Sequence, residues 1–334
     1  MIRLKVHSCG PAVTLQDAGR FGALRMGISA SGAMDMRAYR LANALVGAEP
    51  GAAVLEFGMV GGQFSVDAPA LVSVTGGRCP ITVDGAPREP WTAFRLEPGR
   101  TLNIGTLTDA VYGYIAISDG IDVPPFMGSR STHSRSGLGG HDGRTLTADD
   151  LLPVFPLSAR FQPRRLRCLA APDDQPLRVV AGPQDDHFTS AAWQTFLRED
   201  FVVTAQRDRM GMCLEGPRLE HSGGFNIVSD AISFGSIQVP GSGQPLILLA
   251  DRQPTGGYPK IATVISSDLA RMVQKRSGQI VRFRAVTPEQ AEDAAIAQNA
   301  ALLAEIADLE PFSETPELSS ERLLSLNLIG GVVG

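Results

Sequence analysis

Four short stretches of this 334-residue chain set glycines among polar side chains. Loops of that composition let backbone N–H groups approach an anion or a planar ligand while neighbouring side chains orient it. The first stretch runs from Gln16 and Asp17 through Gly19 and Arg20, and resumes at Ser31, Gly32 and Asp35. Arg20 carries a fork of donors that can clamp a carboxylate through two parallel hydrogen bonds, and a helix starting at Gly32 would offer free N–H groups to an anion. The second stretch sets the hydroxyls of Ser129, Ser131 and Thr132 around Arg130, with a glycine-rich run over 137–144 behind them. That set suits phosphate or carboxylate, although the GxxxxGK[ST] phosphate loop is absent. The third crowds Asp251, Gln253, Thr255, Gly256, Gly257, Tyr258 and Lys260 after the apolar run 245–250, at a strand end. There Asp251 can orient a proton transfer, Lys260 can bind an anion, and Gly256 and Gly257 permit close backbone approach. The fourth, 208–212, contributes Arg209. Plainer readings compete: a local Asp17–Arg20 pair, Ser31 as a helix cap only, turn glycines in a surface loop, and a β-turn ending in an exposed lysine.

These loops need a turn-rich scaffold, and the composition supplies one. The chain has 36 Gly and 23 Pro, about 18% together against a usual level of about 12%. Such an excess disfavours a helical bundle and fits many tight turns between short strands. In the first half, short apolar or alternating runs at 53–57, 63–66, 70–75, 81–83, 92–96, 102–105 and 111–118 read as strands. Helical spacing predicts one helix over 32–46, capped by Ser31 and closed by Gly47. The pattern fades around 156–176, where a boundary is placed. In the second half, strands are expected at 177–181, 201–206, 225–228, 236–239, 246–250 and 280–286. Helices are expected at 187–198 and 265–275, and Pro288 opens a long one to about residue 308. The apolar end of the tail, LLSLNLIGGVVG, can dock on a neighbouring surface or fray.

Several functions are disfavoured outright. A net charge of −5 argues against a general nucleic-acid binder. The four cysteines lie far apart with no CxxC, and the five histidines form no HExxH or HxH pair, so neither a metal site nor a disulfide framework is expected. The amino terminus lacks a signal-peptide pattern and no apolar run reaches the ~18 residues of a membrane span, so the expected location is the cytoplasm, away from membranes.

Taken in order, VTLQDAGRFG (13–22), SGAMDMRAYRLANALVG (31–47), AVLEF (53–57), GIDVPPFMGSRST (120–132), RMGMCLEGP (209–217), the long run 235–262 and VRFRAV (281–286) make the chain resemble a known family. It is the biotin-dependent carboxyltransferase family related to urea amidolyase and allophanate hydrolase subunit 2, and the resemblance spans nearly the whole chain. The fold it implies is mainly β: two cyclophilin-like β-barrel domains, at 1–165 and 166–287, followed by a helix and tail at 288–334. Neither a biotinyl-carrier motif nor an ATP-grasp segment is present, so biotin is not expected to be bound covalently to this chain. The form is that of a stand-alone component, and within the family it most resembles the C-type subunit of 5-oxoprolinase. That likeness implies a homologous companion of the B type, a further partner of the A type, ATP with Mg in the complex, and a small amide or lactam substrate.

On that resemblance Arg20, Arg130 and Lys260 bind anionic groups, and Gln16, Asp17, Gln253 and Thr255 orient the amide. Asp251 or Asp35 serves as acid or base, with Lys260 beside them as a catalytic candidate. Gly19, Ser31, Gly32, Ser129, Ser131, Thr132, Arg209, Gly256, Gly257 and Tyr258 complete the substrate-binding set. Two alternatives stand: carboxyl transfer from carboxybiotin to urea or a related amide, and a regulatory module that binds its companion without turnover. The chain departs from the family's pattern at Pro254, at Asp208 where Asn is usual, and at Asp230 where Glu is usual; these put the substrate in doubt more than the fold.

Overall fold

Short strands and glycine turns do build most of this chain. The computed structural model describes residues 2–156, 162–167 and 174–312. In the first half, Ile2–Cys9, Val60–Val66, Ile81–Val83, Ala86–Arg88, Leu102–Thr106 and Leu151–Val154 form a six-stranded sheet. Thr14–Gln16, Val54–Gly58, Ala70–Thr75, Ala93–Leu96 and Tyr112–Ile117 form a five-stranded one. Ile2, Leu4 and Val6 alternate with exposed Arg3, Lys5 and His7, as expected of a strand with one covered face. Ala70–Thr75 and Tyr112–Ile117 are instead buried throughout, because both faces of the five-stranded sheet are covered. On one face Val72, Ile115 and Ile117 pack with Leu4, Phe64 and Ile104 of the other sheet. On the opposite face Leu71, Tyr114 and Ala116 meet Tyr39, Leu41 and Leu45 of helix α1 (Met36–Val46).

The second half holds an eight-stranded sheet whose two end strands are Ile280–Val281 and Phe283–Ala285. The first pairs with Phe201–Arg207 and the second, in parallel, with Leu177–Ala181. Only Arg282 separates them, so one short stretch of chain joins both ends of the sheet and closes it into a barrel-like form. Phe196 of α2 (Ser190–Arg198) stacks on Phe283 with ring centroids 4.4 Å apart. The same core includes the buried residues of α1, so the core of the second half continues into the first. The division at 165 and 287 remains a proposal on top of that arrangement.

The mainly β expectation holds, and five local expectations are corrected. The helix predicted over 32–46 begins only at Met36, with the Asp35 carboxylate accepting from the Ala38 amide as its N-cap. Ser31 and Gly32 have φ of 52° and 87°, so the chain is left-handed there and Ser31 caps nothing. Residues 225–228 are irregular, exposed except for half-buried Ile227; the neighbouring strand is Asp230–Ala231, paired with Thr255–Gly256. The strand expected over 280–286 breaks at Arg282 for the reason just given. The expected helix at 187–198 is a 3-10 turn at Asp185–His187 followed by α2, and that at 265–275 is a 3-10 turn, Ser266–Asp268, followed by α3 (Leu269–Val273). The long helix is α4 (Pro288–Ala307), started by a Thr287–Gln290 capping box. The tail sequence 323–334, Cys168 and much of the proposed boundary lie outside the described residues. Among the described residues no helix is long and apolar enough to cross a membrane.

Candidate functional site

The first and second loops are joined through one carboxylate. Asp17 is buried, and its Oδ1 accepts from Ser129 Oγ at 2.7 Å, Ser131 Oγ at 2.6 Å and the Gly19 amide at 2.8 Å. Its Oδ2 accepts from the Arg130 amide at 2.5 Å. Gln16 reaches the same loop, donating through Nε2 to the Thr132 carbonyl at 3.1 Å. Arg20, 1% exposed, donates to the carbonyls of Phe126 at 3.0 Å and Ser131 at 2.9 Å. Burial, opposed by the charges of Asp17 and Asp251, lowers its pKa. Arg130 turns its Nε to the Val123 carbonyl at 2.8 Å. The expected phosphate cradle is therefore built around a carboxylate that holds the Ser129 and Ser131 hydroxyls and the Gly19 and Arg130 amides, while Thr132 Oγ1 and Arg20 Nη1 are buried without a partner among the described residues. A triphosphate placed there would face the negative charge of the Asp17 carboxylate.

Gly19 and Gly32 bring this loop against a second cluster. A Cβ on Gly32 would lie 2.9 Å from the Gly19 Cα, so glycine is required at that crossing. The Gly32 carbonyl accepts from Arg209 Nη2 at 2.7 Å. Arg209 also grips Asp251 with two hydrogen bonds, Nε to Oδ2 at 2.8 Å and Nη2 to Oδ1 at 3.1 Å, and donates through Nη1 to Glu56 Oε1. The other Glu56 oxygen accepts the Met34 amide at 2.8 Å. Burial lowers the Arg209 pKa, but Asp251 and Glu56 outweigh it and hold the group above its ordinary value. Burial lifts the Glu56 carboxyl, and Arg209 and the Met34 amide only partly offset it. The cluster thus ties Glu56 of the first half to Arg209 and Asp251 of the second.

Above this cluster opens a cleft of about 490 Å³ between the 18–40 region, α3 and α4. Ser31, Ala33, Met34 and Arg252 line it, and two short segments, 31–34 and 251–252, serve both features. Gly32, Met34 and Asp251 reach the charge cluster, while Ser31, Ala33, Met34 and Arg252 face the cleft. The α1 and α4 walls are linked by a two-bond Arg37–Glu305 pair, at 2.5 and 2.9 Å, and by Arg40 to Asn299 at 3.2 Å.

The remaining candidates lie elsewhere. Asp35 is occupied as the α1 cap and by Gln274 Nε2 at 3.0 Å. Gln253 lines a separate cavity of about 380 Å³ with Arg135, Arg207 and Met210. Thr255, Gly256, Gly257, Tyr258 and Lys260 gather around the short Asp230–Ala231 strand. A Cβ on Gly256 would meet Gln238 Nε2 at 2.6 Å, so this glycine admits a neighbouring side chain. Lys260, 2% exposed, donates to Asp230 Oδ2 at 2.7 Å and to the Ala231 carbonyl at 3.0 Å. That hydrogen bond first, then those from Gln184 and the Ala231 amide, bring the Asp230 carboxyl down from 3.8 to about 2. A folded-state pKa below the unfolded one gives stability that is complete above the unfolded pKa of about 4 and is lost as pH falls through about 2. Asp230→Asn should therefore flatten the acid limb of the melting-temperature profile between about pH 4 and 2. Parallel profiles for variant and parent would exclude this pair as an acid-sensitive tie.

Glu56, Tyr114, Arg252 and Gln274 were not among the expected residues. Tyr114 accepts the Asp35 amide at 2.6 Å and also bonds Glu56. Glu56 did carry a signal, being the one charged residue in the apolar run 53–57.

Comparison with known proteins agrees with this architecture. A family model described as "Carboxyltransferase domain, subdomain A and B" matches residues 26–285. The chain is 35% identical over 292 residues to the C-type subunit of 5-oxoprolinase from Escherichia coli (strain K12), covering 86% of this chain and 93% of that protein. The Haemophilus influenzae protein of the same name is 34% identical over 278 residues, covering 83% and 89%. Among solved structures, the K. lactis urea amidolyase superposes with a TM-score of 0.84 at 26% identity, covering 96% of this chain and 20% of that much longer one.

Proposed function

The chain belongs to the carboxyltransferase-domain family, subdomains A and B, and we propose that it is the C-type subunit of a 5-oxoprolinase. In this reading it works with companion subunits of the A and B types to open the lactam of 5-oxo-L-proline to L-glutamate at the expense of ATP. The observation that carries the reading is the near-full-length match to two proteins named as the C-type subunit of 5-oxoprolinase. The cleft above Asp251 supports it, because an apolar-walled pocket with a few polar groups at its base suits a small amide.

A lactam carbonyl is a poor electrophile. Phosphorylation of its oxygen by ATP would make the ring carbon open to water; the C–N bond then breaks as the ring nitrogen takes a proton, and a second water releases inorganic phosphate from the resulting acyl phosphate to leave the glutamate carboxylate. The hydroxyl loop around Asp17 does not suit a triphosphate, so ATP and Mg are placed on a companion subunit. On this chain, the cleft holds the lactam, and Arg209 fixes Asp251 and Glu56 next to it.

The test mixes the purified chain with its companion subunits and measures glutamate released from 5-oxo-L-proline. ATP-dependent release is expected. No release with all three subunits, but release when a proven C-type subunit replaces this chain, would reject the reading. The likeness to urea amidolyase favours carboxyl transfer as a second reading. That one predicts dependence on bicarbonate and inhibition by avidin in the same mixture, and it fails if neither changes the rate.

A further inference from the structure

We propose that the inner end of the cleft is a carboxylate subsite, in which the Arg252 guanidinium supplies the charge and the Ser31 hydroxyl a further hydrogen bond. Its ligand is a small molecule with an apolar or planar body and one carboxylate. That this ligand is the lactam acid rests on the reading above; the subsite itself does not.

Arg252 is 7% exposed and lines the cleft. Its Nε donates to the Ile232 carbonyl at 3.0 Å and its Nη1 to the Leu249 carbonyl at 3.2 Å. Neither partner is a carboxylate, and the adjacent Asp251 is turned to Arg209. Burial, weakly opposed by Asp251, pushes Arg252 down to about 10, so it remains a cation at neutral pH. A buried cation bonded only to carbonyls favours an anion where the wall opens. Ser31 is 8% exposed, and its Oγ is buried without a hydrogen-bond partner among the described residues. Its φ of 52° would suit glycine better, so the hydroxyl is kept at a position where the backbone disfavours serine.

Of the other charged side chains lining the cleft, Arg37 and Glu305 match each other charge for charge, whereas Arg40 meets a neutral amide. Arg37 holds Glu305 through two bonds, and Arg40 bonds Asn299. Ala33, Met34, Phe234 and Leu302 make much of the remaining wall apolar, which strengthens a guanidinium–carboxylate contact.

Calorimetric titration of the full chain, alone and in its complex, with 5-oxo-L-proline and its uncharged carboxamide tests the subsite. Cyclopentanecarboxylate and its amide serve as a second pair. The acids should bind at least about tenfold more tightly than the amides, as one charge-assisted contact implies. Arg252→Gln should abolish that preference, and Arg252→Lys should restore part of it. Ser31→Gly, which relieves the backbone, should weaken acid binding several-fold without lowering the melting temperature. If Arg252→Gln disturbs folding, the lysine and Ser31→Gly variants carry the test. Retention of the full acid-over-amide preference in folded Arg252→Gln, or in both of the other variants, would overturn the subsite. Arg252-dependent binding of cyclopentanecarboxylate in a complex that releases no glutamate would uphold the subsite and reject the lactam-opening reading.

Discussion

Replacing Arg209 with methionine is expected to lower the unfolding free energy by about 3–5 kcal/mol, the cost of leaving a buried charge without its partner. Few side chains in this fold hold so much at once. Arg209 binds both oxygens of Asp251, one oxygen of Glu56 and the Gly32 carbonyl, and its side chain is only 14% exposed. Lysine cannot substitute, since one ammonium lacks the planar fork that serves these directions together. The deficit should also depend on pH. In the parent, Arg209 partly offsets the burial that lifts the Glu56 carboxyl. Without Arg209 the folded pKa of Glu56 rises further above its unfolded value, so the native state binds the extra proton. Stability then falls as pH rises, and the deficit should shrink as pH is lowered from neutral toward the ordinary glutamate range. Adding Glu56→Gln to the variant should recover part of the loss at neutral pH. Denaturant unfolding of the parent, the single and the double variant across that range checks this. A deficit under about 1 kcal/mol, or one independent of pH, would show that the cluster does not tie the halves together.

The chemistry-bearing loops were legible because glycine beside arginine, aspartate and hydroxyls is unusual, and the loops do adjoin at Gly19 and Gly32. What local sequence does not encode is where each side chain points. Asp251, Arg252 and Gln253 are consecutive, yet one meets Arg209, one lines the cleft and one lines a different cavity. The chain turns after Leu246–Leu248, and a turn scatters neighbours that a strand would keep in alternation. The start of α1 was misread for a related reason. Ser31 and Asp35 are equally good caps by type, and only the left-handed backbone at 31 and 32 decides for Asp35. Closure of the second sheet through Arg282 was hidden because 280–286 alternates like one strand, although its two parts pair with strands at opposite ends of the sheet. The companion of Asp17 lies more than a hundred residues away in sequence, at 129–131, and no local pattern relates the two.

That long-range tie gives the second large expectation. Asp17→Ala removes the acceptor of two hydroxyls and two backbone amides, and should cost about 3 kcal/mol. The hydroxyls can rotate toward other acceptors, whereas the amides of Gly19 and Arg130 cannot, so the loss should concentrate there. Hydrogen exchange at the Arg130 amide should accelerate by about a hundredfold or more, the expected consequence of local opening no longer opposed by that bond. Arg20 would feel the same change, because both of its acceptors, the Phe126 and Ser131 carbonyls, belong to the released loop. The Ala33 amide, however, bonds the Asp17 main-chain carbonyl, which the substitution keeps. The 31–34 segment should therefore hold its place, and acid binding in the cleft should fall by less than about tenfold while the 126–132 loop loosens. An unchanged exchange rate at Arg130 would mean that something other than Asp17 positions the loop. A loss of acid binding as large as that of the Arg252 variants would mean instead that the loop and the cleft act as one unit.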